Sequence, residues 1–166
     1  MFEKTKQRIL RREASKPLHC IDTSVFLEMT LDTKEGKICQ SHLANMGKGK
    51  YYKGVLPLSV LGEIVMVTFR DVNSPDERVE RLRLLEEFAR KRNIGCVVLH
   101  REDHKFIDKL MDIVYNLEEV DAEHLACAKR CGADVFITLD KKLIGSVELE
   151  RELGIKIRSP SDFVSI

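Results

Sequence analysis

The sequence predicts an α/β fold: a three-layer α/β/α domain with a central, mainly parallel sheet of four to five strands. Three observations predict it. Short apolar runs of β character alternate with longer segments of helical spacing, the order that builds parallel sheets. The chain has 166 residues, 43% hydrophobic and 33% charged, which suits one globular domain with its own core. Two of the apolar runs end in aspartate, at the strand ends where such sheets bind ligands.

The elements follow in order. Residues 1–17 read as a basic N-terminal arm, in which Lys4, Lys6, Arg8, Arg11, Arg12 and Lys16 outweigh Glu3 and Glu13. A solvated, partly frayed helix is the plain expectation for this arm, and a nucleic-acid contact the sharper one. Residues 18–166 read as a single domain. "LHCID" (18–22) is a strand, and "SVFLEM" behind it a helix. Residues 32–54 read as a short helix followed by a Gly- and Lys-rich loop. "PLSVLGEIVMVTF" (57–69) is an apolar helix interrupted by Glu63. "SPDERVERLRLLEEFARKRN" opens with Ser74 as N-cap and Pro75 at the first helical position. Its Glu77–Arg81, Glu86–Arg90 and Glu87–Lys91 pairs make a solvated face. "CVVLH" (96–100) is a strand. "REDHKFIDKLMDIVYNL" places Phe106, Leu110, Ile113, Val114 and Leu117 on one helical stripe. "DAEHLACAKRCG" is a helix ending at Gly132, with small residues that permit close packing on a sheet. "VFITLD" (135–140) and "IKIR" (155–158) complete the strands, with "KKLIGS" as a short helix between them.

Composition limits the function classes. Net charge is +1, so no global field announces a polyanion. No apolar run approaches the roughly 18 residues that span a bilayer, and the N-terminus lacks the apolar core of a secretory signal. No membrane association is expected. Five cysteines without a regular framework fit free thiols in a reducing cytoplasm.

The carboxylates carry the chemistry. Glu63 has Ser59, Val60, Met66 and Val67 three and four positions away, so it sits on a mostly apolar face. A bare carboxylate there is costly. Glu63 is protonated, or reaches an edge, or meets a positive group. Asp22 and Asp140 end strands, and Asp121 opens the helix that feeds the Asp140 strand. That helix runs antiparallel to its strand, so Asp121 lies at the same carboxyl-end side of the sheet. Each aspartate also has a helix-capping explanation. Four converging carboxylates without a cation would repel one another and raise at least one pKa. Hard divalent cations, Mg²⁺ or Mn²⁺, neutralise such a group, and an open all-oxygen site suits phosphodiester hydrolysis.

The segments "CIDTSVFL", "LPLSVLGEIV" and "VDAEHLACAKRCGADVFITLDKKL" resemble the PIN-domain family of metal-dependent ribonucleases, which includes the toxins of toxin–antitoxin pairs. The resemblance spans roughly residues 18–158 and implies a PIN-like fold. It implies catalytic acids at Asp22, Glu63, Asp121 and Asp140. By it, Asp22, Asp121 and Asp140 hold Mg²⁺ or Mn²⁺, and Glu63 joins them or orients the water. Ser24 and Thr138 match hydroxyl positions that bond a ligand or a carboxylate. Single-stranded RNA is the implied substrate, a homodimer the implied assembly, and an antitoxin or other protein a possible partner.

Substrate contacts are expected in "GKGKYYKG". There Lys48, Lys50 and Lys53 can hold phosphates, and Tyr51 and Tyr52 can stack on unpaired bases. His100 and His104 lack the spacing of zinc proteases, and His124, Cys127 and Cys131 lack a fourth ligand for structural zinc. No glycine-rich phosphate loop follows a strand. Two alternatives to the nuclease stay open: a catalytically silent RNA-binding or protein-docking module of the same fold, and a toxin held silent by an antitoxin.

Overall fold

The computed structural model describes residues 16–46 and 51–164. Most of the basic arm, with Lys48 and Lys50, lies outside the described residues. A five-stranded, all-parallel sheet forms the middle layer: β1 (Leu18–Ile21), β2 (Lys53–Pro57), β3 (Gly95–Val97), β4 (Val135–Ile137) and β5 (Lys156–Arg158). Their order across the sheet is β3-β2-β1-β4-β5. The chain therefore builds outward from β1 in one direction, then returns to β1's other side with β4. That reversal makes a topological switch point between β1 and β4, where the strands' carboxyl ends open a crevice.

Strand β2 is the difference from the expected elements. Residues 32–54 were expected to be a short helix and then a loop, with no strand before the helix that follows. "VLP" is too short an apolar run to read as a strand beside the longer run that follows. Its place is set by tertiary pairing, Leu18 with Lys53 on one side and Val55 with Gly95 on the other.

Helices cover both faces. α1 (Thr23–Met29), α2 (Lys34–Ala44) and α3 (Leu58–Asp71) pack on one face, with Leu85 and Phe88 of α4 (Pro75–Arg92) against the same core. α5 (His104–Ile113), α6 (Glu119–Arg130) and α7 (Val147–Leu153) cover the other. The strands distribute alternate residues between the two cores: Cys20, Val55 and Phe136 to the second face, Ile21, Leu56 and Ile137 to the first. In α6 the expected small residues are buried: Ala122, Ala126 and Ala128 line the core, and Gly132 beyond the helix end takes φ +66. Helix α4 starts at the expected cap, where Ser74 accepts from the Glu77 amide, and pairs Arg81 with Glu77 and Lys91 with Glu87. Residues 141–145 form a turn rather than the expected short helix.

All five cysteines are free. Among the described residues no helix is long and apolar enough to cross a membrane.

Candidate active site

Asp22 follows directly on β1 and is the N-cap residue of α1, yet its side chain does not cap. Both of its oxygens are engaged elsewhere. Oδ2 accepts from the Ser24 hydroxyl at 2.6 Å and from the Thr138 hydroxyl at 2.8 Å. Oδ1 lies 3.0 Å from Nδ1 of His124, which donates, since an ionised carboxylate only accepts. Burial pushes the Asp22 pKa up, but these donors outweigh it and hold it below the ordinary value.

Thr138 follows β4, places its hydroxyl on Asp22, and accepts from the Asp140 amide at 3.0 Å. Ser24 accepts from the Leu139 amide at 3.1 Å. The two hydroxyls thus stitch the end of β1 to the segment after β4 across the switch point. Both were expected as ligand or carboxylate contacts, and the structure spends them on the carboxylate. Thr138 is fully buried, so it is corrected from a substrate contact to a support of Asp22. Asp140 itself accepts from the Lys142 amide at 2.8 Å, which organises the turn after β4.

Asp121 lies in the first turn of α6 rather than at its cap, which is Glu118. Burial pushes its carboxyl up to about 6, with the negative charges of Asp22, Asp140 and Glu118 adding to the effect. This is the electrostatic signature expected of converging acids. It is felt between residues from three separate segments of the chain.

Glu63 joins the group through His124, which sequence reasoning set aside. His124 is three residues beyond Asp121, one helical turn along α6, and is 1% exposed. Its Nε2 lies 3.0 Å from Oε1 of Glu63, at ion-pair distance but out of line for a hydrogen bond. Burial favours the neutral imidazole, but the bond to Asp22 and the charges of Asp22, Glu63 and Asp121 raise its pKa above the usual histidine value. Of the three possibilities for Glu63, two are met in part: its side chain reaches an edge, 35% exposed, and a histidine with a raised pKa lies against it. The signal in the sequence is the i, i+3 spacing of Asp121 and His124 on a helix whose other inward residues are small or apolar.

The described part of the expected phosphate-binding stretch, Tyr51 to Gly54, stands elsewhere. Lys53 pairs with Leu18 at the amino end of β1, four residues before Asp22. At about 3.3 Å per strand residue it is roughly 13 Å from the acids along the sheet. Tyr51 is exposed at that same end. Tyr52 is corrected outright: it is 4% exposed, stacked on His19 and His42, with its hydroxyl donating to the His42 carbonyl oxygen at 2.9 Å. It cannot stack on a base. Nearer the acids, Lys141 and Lys142 follow Asp140 directly and are exposed.

The donor set suits a hard cation. Oxygens from four acids dominate it, burial and neighbouring acids push the Asp121 carboxyl up, and Oε1 of Glu63 is buried without a hydrogen-bond partner among the described residues. As they stand, no three of the described His, Cys, Asp or Glu side chains are grouped so as to hold a metal ion. The fit is therefore one of chemistry and charge.

The PIN domain family matches residues 19–145, well over half of the chain. The chain belongs to the PIN-domain family. Solved structures agree with the PIN fold. A toxin–antitoxin complex from Klebsiella pneumoniae superposes with a TM-score of 0.58 at 16% identity, covering 86% of this chain and 97% of that one. FitAcB from Neisseria gonorrhoeae superposes with a TM-score of 0.59 at 13% identity, covering 86% and 98%. FitAB bound to an IR36 DNA fragment gives a TM-score of 0.58 at 15% identity, covering 86% and 94%. No curated protein sequence matches the chain significantly.

Proposed function

We propose that this PIN-domain protein is a divalent-metal-dependent ribonuclease that hydrolyses phosphodiester bonds of single-stranded RNA. The observation that carries the reading is the Asp121 carboxyl at the β1/β4 switch point, pushed up to about 6 by burial first and then by the charges of Asp22 and Asp140 beside it. Asp22, Asp121 and Asp140 would hold Mg²⁺ or Mn²⁺, with Glu63 joining them or orienting the attacking water. When bound, the cation supplies Lewis acidity and a water of lowered pKa. The chain's own residues do the rest. Ser24 and Thr138 fix the Asp22 carboxylate. Glu63, its side chain 35% exposed, can accept from a water. Lys141 and Lys142 offer cations to phosphates beside the acids.

Digestion of mixed RNAs with Mn²⁺ tests this, with the parent and Asp140→Asn side by side. The asparagine keeps an acceptor for the Lys142 amide, so the turn and the melting temperature survive. Cleavage by the parent that stops with EDTA, and falls about 100-fold or more in the variant, is the expected result. Equal cutting by a folded variant overturns the assignment. Binding of RNA that survives EDTA, with no metal-dependent products, is the outcome of the silent-module alternative.

A toxin-type partnership is the second reading, favoured by the apolar side of α3. Leu58, Val65, Met66 and Phe69 are exposed there, Met66 to 73%. A homodimer, or an antitoxin chain, is the occupant proposed. Light scattering of the parent and of Met66→Glu should show a dimer and a monomer; a monomeric parent that is harmless on expression excludes both partners.

A further inference from the structure

We infer that His124 is a positioning residue of this site: it bridges Asp22 to Glu63 and sets the geometry in which the acids take a cation. This rests on the reading of the four acids as a cation site and adds a fifth residue to it.

The inference starts from what each acid lacks without the bridge. Asp22 follows β1, and Glu63 sits in the second turn of α3, reached from the chain through β2. No described hydrogen bond joins their backbones. Among the described residues, the side chain that lies 3.0 Å from both is His124, on a third element, α6. An imidazole presents nitrogens at opposite ends of a rigid ring, so it can face two carboxylates at once. An amide of similar length reaches one of them, and an aliphatic side chain reaches neither.

The position also explains which oxygens are left. Asp22 Oδ2 is saturated by two hydroxyls, and His124 takes one side of Oδ1. The carboxylate is therefore held in one orientation before any ligand arrives. Among the described residues Glu63 has no equivalent support from hydroxyls; its Oε1 has no hydrogen-bond partner and lies 3.0 Å from Nε2 of His124. Removing the ring frees Glu63 to swing toward solvent, since its side chain is already 35% exposed. His124 itself is too buried to touch RNA, so its effect must pass through the acids.

Three variants separate the two arms. His124→Asn keeps a donor near the Nδ1 position, toward Asp22, and loses the arm to Glu63. His124→Gln places its amide near the Nε2 position and loses the arm to Asp22. His124→Leu loses both. Each is followed by metal-free melting temperature, by Mn²⁺ affinity from electron paramagnetic resonance titration, and by kcat and KM on RNA. Loss of a group that orients a metal ligand typically weakens metal binding or activity 10- to 100-fold. The expected result is Mn²⁺ affinity about 10-fold or more weaker in His124→Leu, restored to within about threefold in His124→Asn. In His124→Asn kcat still falls about 10-fold, while KM for RNA stays at the parent value. Should His124→Leu fail to fold, the kcat loss and retained Mn²⁺ affinity of His124→Asn decide alone.

A parent that binds Mn²⁺ and cleaves, beside a folded His124→Asn with the parent's affinity and kcat, overturns the inference and leaves the nuclease reading intact. A parent that neither binds Mn²⁺ nor cleaves overturns both.

Discussion

Asp22 accepts from three side chains drawn from α1, from α6 and from the segment after β4. A buried carboxylate is tolerable only when it is so supplied, and each charge-assisted bond contributes about 1.5–3 kcal/mol against the cost of desolvation. Stability and function are therefore mixed in the same residues. Tyr52 shows the opposite case. Its place in a Lys-rich stretch reads as a substrate contact, while its ring is a core element stacked on two histidines. Tyr52→Phe should cost about 1 kcal/mol in urea unfolding, the worth of the lost bond to the His42 carbonyl. It should leave RNA cleavage unchanged. A stable variant that loses RNA affinity would restore the original expectation for this residue.

At the scale of elements, the legible parts were those with local signals. The Ser74–Pro75 start of α4, the small-residue face of α6 and the glycine after it are written in short stretches of sequence. So were the three aspartates, because strand ends and helix starts are themselves local features. Strand β2 was not legible, because its pairing partners lie far off in the chain. The exposure of Met66 and Phe69 was missed for a similar reason: an apolar helix does not say which of its residues a neighbour covers. His124 was missed because its partners come from β1's end and α3. Close approach of α1 and α2 is another such feature. A Cβ added at Gly36 would fall on the carbonyl oxygens of Glu28 and Leu31. Alanine gains about 1 kcal/mol in helix propensity, and overpacking against backbone typically costs about 1–3 kcal/mol. Gly36→Ala should therefore destabilise, by chemical denaturation, where propensity alone predicts a gain.

The whole molecule places its two polar centres at opposite ends of β1. Asp22 and its partners occupy the carboxyl end. His19, near the amino end, stacks with His42 and Tyr52 in a buried cluster, with the half-buried Phe163 tilted against it. Burial lowers the His19 pKa to about 4. Burial, with the neighbouring His19, lowers that of His42 to about 3. Among the described residues, Nε2 of His19 has no hydrogen-bond partner. In the unfolded chain both histidines titrate near 6.5. Above that pH neither state binds the proton and the fold keeps its full stability. As pH falls below about 6.5 the unfolded state takes up protons that the folded state refuses, so stability falls steadily until about pH 4 to 3. Denaturant titrations across this range should lose on the order of a few kcal/mol. His42→Phe should flatten the slope. A flat profile in the parent would mean the cluster opens to solvent.

The switch point between β1 and β4 is where the topology of this sheet offers a crevice, and three acids arrive there from separate segments with a fourth held by His124. Anomalous diffraction from crystals soaked in Mn²⁺ tests that arrangement most directly. A manganese peak bound by carboxylate oxygens of Asp22, Asp121 and Asp140, with Glu63 on the same side, is the predicted result. Manganese bound on another face, or an empty crevice in a protein that still cuts RNA, would contradict it.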